Sequence, residues 1–278
     1  MAPAHERTSG PSADTGGRRR RPAPPEPRPR VLDSLEGPAG QQDPHPPAPP
    51  AESAELTAAH YTRPVRRVVR RIVQTVFFRG LVNRTISRSN VVDPAAYGVK
   101  GTCVVVANHS SHLDAPLVMS GVPHYISRDL ATGVAADYFF TTWHKKFFTQ
   151  LVFNAFPVDR RGEGANRGLS KKLLAAGVPL LIFPEGTRSK TGRMAPFQVG
   201  AASLALSTQV PVVPVALIGA HEAMPRGTSW PRRGRPPVVV AVGAPLRARG
   251  NENAAGFNER IEAAVRALYA ANRHRIQD

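Results

Sequence analysis

Apolar positions along this chain fall into two kinds of pattern. Val65, Val68, Val69, Ile72, Val73, Val76 and Phe77 recur at i, i+3, i+4, i+7, i+8, i+11 and i+12, while Arg66, Arg67, Arg70, Arg71 and Gln74 take the other side. That period predicts an amphipathic helix. Elsewhere the apolar residues come in short runs: Thr102 to Ala107, Val178 to Phe183, Val210 to Ile218 and Val238 to Val242. Runs of this length, rich in β-branched side chains, predict buried strands. Pro211 and Pro214 interrupt the third run. A proline cannot donate to a ladder, so this strand is expected at a sheet edge, or with its prolines where no donor is needed.

Helices are predicted between the strands, over Leu113 to Ser120, Tyr138 to Phe153, Ala165 to Ala176 and Phe197 to Ser207. Gly177 ends the third of these. A strand or two is expected around Ile126 and Val134, and a strand end at Phe156 to Arg161. Phe257, Ile261, Val265 and Leu268 line a closing helix. Strands alternating with helices predict one α/β domain with a mostly parallel or mixed sheet flanked by helices. The expected boundaries are a Pro/Arg-rich disordered tail over residues 1–60, a basic amphipathic, membrane-facing helical segment over 61–90, and the folded domain over 91–278.

Composition sharpens this division. Thirteen of the 28 prolines lie in residues 1–50, a stretch without helical or strand period. Residues 1–60 hold seven Arg against eight Asp and Glu, a net charge of −1, so the whole-chain +17 places +18 in residues 61–278. A basic folded part suits phosphate-bearing lipids, nucleotides or nucleic acid. Only 6% aromatic residues argues against a base-stacking surface, and nucleic acid is not expected as a partner. From Arg63 to Arg88 there are eight Arg and no acid. This suits a helix lying in an anionic membrane interface, its apolar face in the lipid. The plainer alternative is that the apolar stripe packs on the domain behind it.

Cys103 is the single cysteine, expected as a buried thiol within its strand. The Arg18 to Arg21 run leads into prolines and not into an apolar stretch, and no window of about 18 apolar residues occurs. A cytoplasmic protein, peripheral on the cytoplasmic face of a membrane, is the expectation.

Candidate chemistry begins at Asn108-His109-Ser110-Ser111-His112-Leu113-Asp114, where an apolar strand runs into polar residues. On an unbroken helix His109 and Asp114 would point roughly 140° apart. If the helix starts at Ser110 or Ser111, His109 precedes it and its imidazole can fold back onto Asp114, leaving the second ring nitrogen free as a base. Alternatively Ser111 and Asp114 form a capping box, or His109, His112 and Asp114 bind a metal, although the helical His pair with an intervening Glu is absent. A second polar turn, Pro184-Glu185-Gly186-Thr187-Arg188-Ser189, follows another apolar run. There Arg188 offers a fork suited to phosphate oxygens, and Gly186 lets backbone amides approach the same anion. Gly162, Gly164 and Gly168 do not have dinucleotide-binding spacing.

Taken in order, Asn108-His109 with Asp114 (a His-x4-Asp block), Phe156 to Arg160, Phe183 to Ser189 and Val210 to Val215 resemble the four blocks of the glycerolipid acyltransferase family, which includes lysophosphatidic acid acyltransferases. The resemblance spans roughly residues 65–245. It implies transfer of a fatty acyl group from acyl-CoA or acyl carrier protein, as co-substrate and with no other cofactor or metal, to the free hydroxyl of 1-acyl-sn-glycerol 3-phosphate. By that resemblance His109 is the general base, Asp114 orients it, and Glu185, Gly186, Thr187, Arg188 and Arg160 bind the glycerol phosphate. No acyl-enzyme is expected, and the sequence holds no Gly-x-Ser-x-Gly elbow. Two departures stand out. A Lys that many relatives carry has no counterpart at Ala135-Ala136-Asp137, and Gln198 stands where relatives often have a basic residue. Rival readings are the same chemistry on another lysolipid or glycolipid, an acyl-thioester hydrolase, and a non-catalytic membrane-binding protein.

Overall fold

The computed structural model describes residues 61, 63–74, 83–135, 154–158, 168–228 and 230–276. Helix α1 (Pro64–Gln74) precedes strand β1 (Ser87–Val92) and, after a 3₁₀ turn capped by Asp93, strand β2 (Val104–Ala107). Then come α2 (Asp114–Gly121), α3 (His124–Ser127), β3 (Ala131–Ala135), β4 (Phe156–Val158) and α4 (Leu169–Ala175). Strand β5 (Leu180–Ile182), α5 (Gly200–Thr208), β6 (Val212–Ile218), α6 (Ala220–Ala223), β7 (Pro237–Val242) and α7 (Ala254–Asn272) complete the order.

The strands form one seven-stranded sheet in the order β1-β7-β6-β2-β5-β3-β4. Among the described strand pairs only β6–β7 is antiparallel. Val104 and Val106 pack on the face that holds Phe257, Ile261 and Val265 of α7, whereas Val105 and Ala107 pack with Leu117 and Val118 of α2. Helices thus cover both faces, and for that reason β2 and β6 read as unbroken apolar runs. The expected α/β architecture with a mixed sheet is what the chain adopts.

Several elements differ from expectation. The sheet starts inside the segment assigned to helix, since β1 occupies Ser87–Val92 and the boundary drawn at residue 90 cuts through it. As an edge strand pairing only with β7, β1 leaves much of its surface exposed and needs no continuous apolar run. Conversely β6 is interior, between β7 and β2. Its Pro214 is tolerated because the carbonyl accepts from Gly243 N–H at 2.9 Å, so the missing donor faces the end of β7, beyond the last pair of Val215 with Val242. Ile126 lies in α3 and not in a strand. The predicted helix over Tyr138 to Phe153 lies outside the described residues, as do Asp159 to Arg161. The helix sought at Ala165 is described from Leu169, behind Gly168 with φ of 83°.

The amphipathic helix is present, with an orientation the sequence leaves open. Val65, Val68, Val69 and Ile72 are exposed, while Arg70 is buried at 4% exposure. Arg67 Nε donates to Asp129 Oδ1 at 2.7 Å, and Arg70 Nη2 lies 4.0 Å from the same oxygen. At about 100° per residue the two arginines stand roughly opposite the centre of the valine stripe. The charged side therefore faces the domain and the apolar side faces out. Val73, on the flank, packs against the core.

Candidate active site

The site lies at the carboxyl end of the central strand. Asn108 ends β2 by continuing its pairing through the side chain: Nδ2 donates to Leu217 O at 3.0 Å, and Oδ1 accepts Leu217 N–H at 2.7 Å. The chain then turns, and helix α2 starts only at Asp114, three residues after Ser111. His109 consequently precedes the helix and folds back, its Nδ1 lying 2.8 Å from Asp114 Oδ2. The same oxygen accepts the N–H groups of Ser110 at 2.6 Å and Ser111 at 2.8 Å. The Ser111–Asp114 capping box does not form, because the helix N-cap is Leu113 without a side-chain cap bond and Ser111 Oγ turns to Met224 O; one carboxylate oxygen instead holds the imidazole and the N–H groups of the turn. Asp114 is fully buried, whereas the His109 side chain keeps 23% exposure. The opposite ring nitrogen, Nε2, is the one available to a reactant.

The second turn arrives by sheet register. In the parallel β2–β5 pair Val106 stands beside Ile182, so three residues further on His109 reaches the level of Glu185. Glu185 Oε1 accepts His109 N–H at 2.7 Å, and Oε2 accepts Ala195 N–H at 2.8 Å. Ser189 N–H donates to His109 O at 2.8 Å, which stitches the two turns together on either side of Arg188. Gly186 has φ of 73°, and its N–H closes the turn onto Phe183 O at 3.1 Å. A Cβ there would meet Gln198 Nε2 at 2.9 Å. Thr187 is exposed and Arg188 half-buried.

Glu185, expected to bind substrate, is tied to main-chain donors of His109 and Ala195. Its two oxygens are both engaged by main-chain donors and the residue is 6% exposed, so it holds His109 and the following loop in place. Burial raises its pKa above the usual carboxylate value, opposed by those N–H donors. His112, exposed overall, has its pKa lowered by partial burial of the ring, with Arg188 and His109 acting in the same direction. Gly186, Thr187 and Arg188 are brought beside His109 and Asp114, while Arg160 lies outside the described residues.

Three features escaped the sequence reading. Phe183 stacks on the His109 ring, with centroids 4.1 Å apart and planes inclined by 17°. Ser111 Oγ donates to Met224 O at 2.8 Å, and Arg226 Nη1 reaches Arg188 O at 3.4 Å, so the segment after α6 borders the site. An aromatic residue three positions after the onset of a buried strand gives no local sign of stacking on a distant imidazole.

An acyltransferase family model matches residues 83–218, a span that holds both turns. Residues 83–218 are thus similar to that family. The 1-acyl-sn-glycerol-3-phosphate acyltransferase of Cocos nucifera is 31% identical over 150 residues, 52% of this chain and 46% of that protein. A chloroplastic 1-acyl-sn-glycerol-3-phosphate acyltransferase of Brassica napus is 34% identical over 131 residues, 45% of this chain and 36% of that protein. The chain thus spans less than half the length of these curated relatives. Among solved structures, the 1-acyl-sn-glycerophosphate acyltransferase PlsC of Thermotoga maritima superposes with a TM-score of 0.59 at 25% identity, covering 73% of this chain and 79% of that one. The fold of this chain is therefore similar to that of a solved 1-acyl-sn-glycerophosphate acyltransferase. No described helix is long and apolar enough to cross a membrane.

Proposed function

We propose that this protein is an acyltransferase that moves a fatty acyl group from acyl-CoA or acyl carrier protein to the free hydroxyl of 1-acyl-sn-glycerol 3-phosphate, giving phosphatidic acid. The observation that carries this reading is the 2.8 Å contact of His109 Nδ1 with Asp114 Oδ2, set beside the turn that bears Arg188. With Nδ1–H donated to the carboxylate, Nε2 takes the proton of the acceptor hydroxyl as that oxygen attacks the thioester carbonyl. Asp114 stabilises the imidazolium that forms. The tetrahedral intermediate collapses by breaking the carbon–sulfur bond, and the imidazolium returns its proton to the departing thiolate. Acyl transfer is direct, without an acyl-enzyme.

Arg188 and the Gly186-Thr187 backbone bind the acceptor phosphate in this reading, with Arg160 as a further cation. Stacking on Phe183 and the Glu185 bond to His109 N–H support the role of the imidazole by fixing ring and main chain. The basic α1 and its outward apolar stripe support attachment to an anionic lipid surface, on the cytoplasmic face, with residues 1–60 as a tail ahead of it.

Thiol release from palmitoyl-CoA, with and without 1-acylglycerol 3-phosphate, tests the reading. Release that requires the acceptor, yields phosphatidic acid and is lost in His109→Ala is the expected result. Release without acceptor would establish a thioesterase instead, and preference for another lysolipid would move the acceptor assignment.

A further inference from the structure

An amphipathic helix resting on a globular domain ordinarily buries its apolar stripe. In α1 the arrangement is reversed, and one residue accounts for it. Asp129, 7% exposed, follows α3 and precedes β3. Its Oδ1 takes the Arg67 bond at 2.7 Å with Arg70 4.0 Å away, and its Oδ2 accepts Arg128 Nε at 3.0 Å. Its carbonyl accepts Asn154 Nδ2 at 3.2 Å, which ties the carboxylate's own backbone to the start of β4. Arg70 Nη2 lies 3.5 Å from Tyr61 O, so the chain entering the helix is held at the same point.

We infer that Asp129 is a latch that sets the roll of α1, turning Val65, Val68, Val69 and Ile72 outward as a lipid-docking face. A nearly buried carboxylate keeps arginines facing it, because an uncompensated buried charge is costly. With Arg67 and Arg70 turned inward, the helical period leaves the valines and Ile72 no position except the outer one. The occupant of that face is an anionic lipid surface. Charge complementarity selects it: Arg63 and Arg71 are exposed at the two ends of α1, and no acid occurs from Arg63 to Arg88. This inference rests on the lipid-surface reading given above, and it assigns Asp129 as a positioning residue that touches neither substrate nor lipid.

The latch makes a prediction opposite to simple electrostatics. If Arg67 and Arg70 themselves bound lipid phosphates, Asp129→Asn would free them and strengthen binding. If Asp129 sets the roll, the same substitution weakens it. Flotation of the full chain with vesicles of phosphatidylglycerol and phosphatidylcholine reads this directly, for the parent, Asp129→Asn, the Arg67→Gln/Arg70→Gln pair, and all three changes combined. The expected result is a loss of about tenfold or more in vesicle affinity for Asp129→Asn, a similar loss for the arginine pair, and no additional loss when they are combined, as for residues acting as one unit. Acylation of a short-chain, monomerically dissolved 1-acylglycerol 3-phosphate should stay at the parent level in Asp129→Asn, which shows that the domain is folded. Vesicle binding by Asp129→Asn equal to or tighter than the parent's, or losses that add, would overturn the latch. Should Asp129→Asn fail to fold, the arginine pair alone decides, since unchanged binding in that variant equally overturns it. A parent that does not bind these vesicles would remove the lipid-surface reading, leaving the acyltransferase assay untouched.

Discussion

Glu185 Oε1 accepts the backbone N–H of His109 at 2.7 Å across a sequence separation of 76 residues. A side chain from the turn after β5 thereby fixes the main chain of the turn after β2. Glutamine has one acceptor and one donor at this end, so in Glu185→Gln the amide NH2 must face either His109 N–H or Ala195 N–H. Small misplacements of a catalytic group can cost about 10²-fold. Steady-state kinetics of Glu185→Gln should show kcat reduced by about 10- to 100-fold with a smaller change in KM. An unchanged kcat would remove Glu185 from the positioning role.

The same residue gives a pH signature. Burial raises the Glu185 pKa above its ordinary 4.5, so between that value and the raised one the folded chain binds more protons than the unfolded chain. Stability therefore falls as pH rises through this window, and the contribution is constant above it. Denaturant titrations across the weakly acidic range should show a shallower decline in Glu185→Gln than in the parent.

His109 and Asp114 should separate by the kind of loss they cause. Removing the base in His109→Ala is expected to lower kcat by about 10²- to 10⁴-fold while the fold persists. Asp114 differs because Oδ2 takes three bonds while Oδ1 is buried with no hydrogen-bond partner among the described residues. An asparagine that keeps its oxygen at the Oδ2 position places its NH2 where no acceptor waits, at a cost of about 1–3 kcal/mol. Asp114→Asn should thus lose both activity and thermal stability, as read by calorimetry beside the kinetic assay.

Arg188 is expected to act on the acceptor and not on the thioester. Charge-assisted bonds of this type are worth about 1.5–3 kcal/mol, which corresponds to roughly 10- to 100-fold in kcat/KM. Arg188→Ala should raise KM for 1-acylglycerol 3-phosphate, with partial recovery in Arg188→Lys, since lysine supplies charge without the planar fork. An acceptor lacking phosphate should respond little to either change. An equal loss with both acceptors would argue for a structural role.

Cys103 lies fully buried in the segment leading into β2, and burial pushes its thiol up to about 12. At pH 8 only about one thiol in 10⁴ would be ionised. A thiol-disulfide reagent should leave the native chain unmodified over hours and titrate one thiol after denaturation. Rapid labelling of the native chain would contradict that burial.

The sequence by itself determined the pieces governed by near neighbours. The runs Val104 to Ala107 and Val238 to Val242 become interior strands because only a two-sided core keeps six or fewer consecutive apolar residues from water. The spacing of Phe257, Ile261 and Val265 determined one buried helix face, and the His-x4-Asp spacing allowed the imidazole to fold back. In each case the interacting residues lie within a turn or two of one another, so a period or a spacing carries the information.

Tertiary structure decided the rest. The β2–β5 register sets His109 beside Glu185, and no local pattern encodes an offset between strands 76 residues apart. Nor does any local pattern show that both Glu185 oxygens accept main-chain N–H groups. Strand β1 was hidden because an edge position tolerates the polar sequence Ser87-Arg88-Ser89-Asn90. The amphipathic period determined that α1 has two faces, but which one meets solvent depended on a carboxylate near the opposite end of the α2–α3 segment. A helix records its own asymmetry in sequence; its roll is fixed by what it packs against, here Asp129.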